Sequence, residues 1–93
     1  NKNKIIFAYE PVWSIGTNKV PNNNELRAVV KFIKNDLKKS FKTKKIPTVL
    51  YGGSVNQKNV KSLSLVAEID GFLIGGASQS AKKFIDIIKN YYK

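Results

Sequence analysis

Three short apolar runs divide this chain, and each is cut off abruptly. Lys4–Tyr9 stops at Glu10, Thr48–Tyr51 at Gly52-Gly53-Ser54, and Ile69–Ile74 at Gly75-Gly76. The first reads as a buried strand and the other two as strands, because apolar β-branched and aromatic residues dominate them. A helical pattern follows each run. Asn22 is placed to cap the first helix, with Glu25 three residues later as in a capping box. Leu26, Val29, Val30, Ile33 and Leu37 then share one face, and the pattern ends near Lys39–Phe41. A short helix is expected over Asn56–Leu63. Ser80 can cap a last helix, with Phe84, Ile85, Ile88 and Tyr92 on one face. The resulting order, β-α-β-α-β-α without linker or low-complexity tract, predicts an α/β fold. Its sheet is parallel and its crossovers right-handed.

Composition removes several kinds of chemistry. The 93 residues include neither cysteine nor histidine. Disulfides, thiol catalysis and Ser-His or Cys-His pairs are therefore excluded within the chain, and a zinc site is not expected. No apolar stretch is long enough to span a membrane, and no targeting pattern opens the sequence. A cytoplasmic setting follows as the default expectation. Methionine is also absent and the sequence starts almost at a strand, so it reads as a piece of a longer protein.

The net charge of +11 raises nucleic-acid binding as a separate possibility. The lysines, however, are spread along the chain, and Arg27 is the single arginine. Arginine is the usual reader of bases and phosphates. Aromatic residues do not interleave with the basic ones, and no recognition motif is present. The charge reads as a solvated surface that can also steer an anionic substrate, with no nucleic-acid partner.

In a parallel sheet every strand ends at the same edge. Glu10, Gly52-Gly53-Ser54 and Gly75-Gly76 should therefore meet at one rim, where such sheets place their ligands. A carboxylate there can act as a general base or simply cap a turn. Paired glycines let backbone N–H groups approach an anion, or merely form a tight turn. About ten residues join the first strand to its helix, where about 2–6 are usual, and loops of that length are commonly functional.

These motifs together resemble the triosephosphate isomerase family. Ala8-Tyr9-Glu10-Pro11-Val12-Trp13 with Ile15-Gly16-Thr17 is similar to its catalytic-glutamate and lid segment. Tyr51-Gly52-Gly53-Ser54-Val55-Asn56 is similar to its seventh-strand loop, and Asp70–Ser78 to its eighth-strand loop. The resemblance implies the C-terminal three units of a TIM (β/α)8 barrel, with 1–93 forming part of a single domain. It implies Glu10 as the base that moves a proton between adjacent carbons of a triose phosphate. It implies phosphate binding at Gly16, Ser54, Gly75 and Gly76, and pocket lining by Leu73. Pro11, Val12, Trp13, Ser14, Ile15, Gly16, Thr17, Asn18 and Lys19 would form the lid, with Trp13 as its anchor. Neither metal nor organic cofactor is needed, and a homodimer is implied.

The sequence departs from the family pattern in places. Ser14 stands where alanine is common, a change expected to matter little. Asn18 replaces a glycine of the second hinge. Pro21 lacks a backbone N–H, so a latch from Tyr51 to a donor there is not available. The family's electrophilic histidine and its substrate lysine lie on earlier strands, among the five missing barrel units. A complete barrel needs about 250 residues. Alone, three units would expose two sheet edges and uncovered apolar faces, so the isolated chain is expected to self-associate and to lack activity. The alternative reading is an isolated remnant that at most binds phosphate.

Overall fold

The computed structural model describes residues 5–14, 16–17, 19–42 and 44–93. Ile15, Asn18 and Lys4, named above for the lid and the first strand, lie outside the described residues. Three strands, β1 (Phe7–Tyr9), β2 (Val49–Tyr51) and β3 (Gly71–Phe72), form a parallel sheet in that order. Helix α1 (Asn23–Ser40) crosses from β1 to β2. Helix α2 (Val60–Leu63) lies between β2 and β3, and α3 (Ala81–Tyr91) follows β3. This is the expected alternation of β/α units.

Register fixes the functional rim. Tyr9 pairs with Tyr51, and Tyr51 pairs with Phe72. The next residue of each strand, Glu10, Gly52 and Leu73, therefore sits at one edge. The ladder continues a step further there: Gly52 N–H donates to Tyr9 O at 2.9 Å and Leu73 N–H to Tyr51 O at 2.9 Å.

The core lies on the helix-bearing face. Val49 and Tyr51 of β2 meet Leu26 and Val30 of α1, Val60 and Leu63 of α2, and Ile87 of α3, with Val55 and Val66 between them. Helix α1 starts where its cap predicts. Asn22 Oδ1 accepts from Glu25 N–H at 2.8 Å, and Asn22 Nδ2 donates to the Glu25 carboxylate at 2.6 Å. The Glu25 side chain thus answers the cap's amide rather than its backbone N–H. Ser80 caps α3 by accepting from Lys83 N–H at 3.3 Å.

Four expectations need correction. The first strand is shorter than Lys4–Tyr9 and not buried: Ile5 and Ile6 are exposed, because β1 is an edge strand of this sheet. The third strand is shorter than Ile69–Ile74, with only Gly71–Phe72 in strand geometry. The helix expected over Asn56–Leu63 begins only at Val60. Asn56 Oδ1 accepts from Lys58 N–H and Asn59 N–H, and Asn59 Oδ1 accepts from Asn56 N–H at 2.8 Å. These side chains give the backbone an alternative to the helical ladder. In α3 the buried residue is Ile87, while Phe84, Ile85, Ile88 and Tyr92 are exposed. The helix packs chiefly against α2 and the short 3-10 turn Gly76–Gln79, with Tyr91 edge-on to Phe72 of β3.

Candidate active site

At the rim a cavity of about 1140 Å³ gathers residues from all three strand ends. Glu10, Gly16, Ser54, Leu73, Gly75 and Gly76, each singled out from the sequence, all border it. They come from segments up to sixty-six residues apart and meet because the strand ends are in register.

The glycines divide the work. A Cβ at Gly52 would lie 2.7 Å from Cγ of Glu10, so the carboxylate-bearing side chain rests directly on the Gly52 backbone. A Cβ at Gly53 would coincide with the ring tip of Tyr51 and the hydroxyl of Ser14. The second pair differs. Gly75 and Gly76 have open space where their side chains would be, and both are exposed on the cavity. The first pair makes room for the protein's own groups, whereas the second leaves room for a ligand. Gly16 adopts φ +69°, a left-handed conformation that glycine takes without steric cost.

The loop after β1 starts with a 3-10 turn, Val12–Ser14. Pro11 and Ser14 are buried, whereas Val12 and Trp13 are exposed, Trp13 by 51%. Trp13 is therefore not the packed anchor that its size suggested. Its carbonyl accepts from Thr17 Oγ1 at 2.8 Å, and Thr17 Oγ1 in turn accepts from Lys19 N–H at 3.2 Å.

Ser14 contradicts the expectation that it matters little. It is fully buried, and its hydroxyl donates to the Lys19 carbonyl. A hydroxyl has a single proton and two acceptor sites. With that proton on Lys19 O, the 2.9 Å contact to Tyr51 Oη must run from Tyr51 to Ser14. Ser54 N–H fills the remaining acceptor site at 3.1 Å, and Ser54 Oγ donates to Ser14 O. Burial pushes the Tyr51 hydroxyl above the usual tyrosine range. Tyr9 adds to it.

Sequence reasoning also passed over the cations of the site. Lys58, Lys82 and Lys83 border the cavity, and Lys82 Nζ pairs with Asp86 at 2.9 Å. Lys58 four residues after Ser54, and Lys82-Lys83 four and five residues after Ser78, were the available signal. Among the described residues no group of acidic side chains could hold a metal ion, and no helix is long and apolar enough to cross a membrane.

The arrangement is a carboxylate held on a glycine backbone, facing exposed glycines and lysines across one cavity. It suits proton abstraction from a small anionic substrate. The family model for triosephosphate isomerase matches residues 1–91. The chain is similar to "Triosephosphate isomerase" from Dictyostelium discoideum, with 47% identity over 89 residues, covering 94% of this chain and 35% of that protein. It is similar to the protein of the same name from Borrelia garinii subsp. bavariensis (46% over 89 residues; 94% and 35%) and from Psychrobacter arcticus (44% over 90 residues; 97% and 34%). The chain spans about a third of the length of these relatives. With fold, rim and residues in agreement, the chain belongs to the triosephosphate isomerase family.

Proposed function

We propose that the protein containing this chain interconverts dihydroxyacetone phosphate and glyceraldehyde 3-phosphate. Glu10 takes a proton from the carbon beside the carbonyl, and the electron pair moves onto the carbonyl oxygen to give an enediolate. The same carboxyl then returns the proton to the carbon that bore the carbonyl, while the hydroxyl proton passes to the other oxygen and a new carbonyl forms at the first carbon. The observation that carries this reading is the shared cavity of Glu10 with Gly16, Ser54, Gly75 and Gly76. Exposed backbone at Gly75-Gly76 suits a phosphate group, and Lys58, Lys82 and Lys83 supply a positive field that draws it in. Leu73 contributes an apolar wall. The loop after β1 acts as the lid, keeping water from the enediolate.

Residues 1–93 form the C-terminal part of one barrel domain in this reading. The five preceding units supply the electrophile, since the chain contains no histidine. The complete protein is a cytoplasmic homodimer that needs no cofactor. The sheet's open edges and the exposed Ile5, Ile6, Ile85 and Ile88 support completion by further barrel units. The test is isomerase turnover of this chain joined to the first five units of a relative. Turnover by the joined protein and none by the chain alone is the expected result.

A further inference from the structure

One buried side chain binds together the parts that the proposed reaction must keep in place. Ser14 bridges three segments through one hydroxyl: Lys19 at the far end of its own loop, Tyr51 at the end of β2, and Ser54 in the glycine turn. All three hydrogen-bonding positions of that hydroxyl are used. The Ser14 backbone takes part as well, with its N–H donating to Pro11 O at 2.9 Å and its carbonyl accepting from Ser54 Oγ. Residues of the connected segments, Gly16 and Ser54 among them, border the cavity. In this conformation the hydroxyl therefore fixes the loop after β1 against the loop after β2, with Gly16 turned to the substrate space.

We propose that Ser14 is a positioning residue for the reaction, the latch that holds the lid over the cavity. The proposal rests on the isomerase reading. Ser14 touches no reacting atom in it, and acts by keeping Gly16 and Ser54 in place and water out while the enediolate exists. Alanine at 14 keeps the Cβ but withdraws the acceptor used by Tyr51 and Ser54 and the donor used by Lys19. Loss of a buried, fully used hydroxyl of this kind corresponds to about a tenfold change in the latched population.

A leaking lid has its own chemical signature. When the enediolate escapes protection, its oxygen electron pair can re-form a carbonyl as the carbon–oxygen bond to phosphate breaks. This releases inorganic phosphate and the enol of a 2-oxoaldehyde. The experiment joins this chain to the five preceding units of a relative and compares wild type with Ser14→Ala. The expected result is a kcat about tenfold lower, little change in KM, and a larger fraction of substrate lost as inorganic phosphate. Unchanged kcat and phosphate release would overturn the latch. So would a loss of thermal stability alone. Wild-type turnover separates the two claims, since a folded but inert wild-type protein refutes the isomerase reading. Amide exchange at Thr17 and Ser54 then still decides on Ser14: faster exchange at both in Ser14→Ala supports the latch, and unchanged exchange refutes it.

Discussion

The side chain of Glu10 occupies the space that any side chain at Gly52 would need: a Cβ there would fall 2.7 Å from Cγ and 3.0 Å from Oε1 of Glu10. The glycine is thus a condition for the position of the carboxylate. Gly52→Ala in the completed barrel should push Glu10 aside while leaving the phosphate end of the cavity intact. A displacement of about 1 Å can lower a rate on the order of 10²-fold. Steady-state kinetics should show that loss mainly in kcat.

Tyr51 makes stability depend on alkaline pH. Burial raises its pKa in the folded chain, so the folded hydroxyl keeps its proton where the unfolded chain has lost it. Its contribution is complete below the ordinary tyrosine value of about 10 and is lost as pH rises through the folded-state value. Urea midpoints measured from pH 8 upward should fall more steeply for wild type than for Tyr51→Phe. At neutral pH that variant should itself be less stable by about 1 kcal/mol, because the Ser14 hydroxyl loses a donor.

The start of α1 depends on Asn22. Its Oδ1 accepts from Glu25 N–H at 2.8 Å, one of the four N–H groups that a helix start leaves unpaired. Asn22→Ala should lower stability by about 1 kcal/mol, and Asn22→Ser should restore most of it. Chemical denaturation of the three proteins gives the comparison.

Local chemistry made much of this fold legible. Asn22 announced α1 because a cap acts over three residues. Glu10 and the two glycine pairs could be assigned to one rim because a parallel sheet permits no other arrangement of strand ends. What was hidden depended on distance. Ser14 draws its importance from Tyr51, 37 residues away, and from Ser54, 40 residues away, and nothing near it in sequence signals either contact. The contact between Gly52 and Glu10 was hidden for the same reason, since the two lie 42 residues apart in sequence. Ile87 escaped notice because α3 carries apolar residues on several sides, and only its packing against α2 selects one strip. The delayed start of α2 follows from side-chain bonds of Asn56 and Asn59 that a propensity reading does not weigh.

With Glu10 as the base of a triose phosphate isomerisation at this rim, turnover depends on its carboxylate. The most direct measurement is isomerase turnover of the completed barrel with Glu10 and with Glu10→Gln, which keeps the shape and removes the basic carboxylate. Clear turnover is expected for the first and a loss of about 10²–10⁴-fold for the second, the range for a positioned general base. Equal turnover by the two proteins would contradict it.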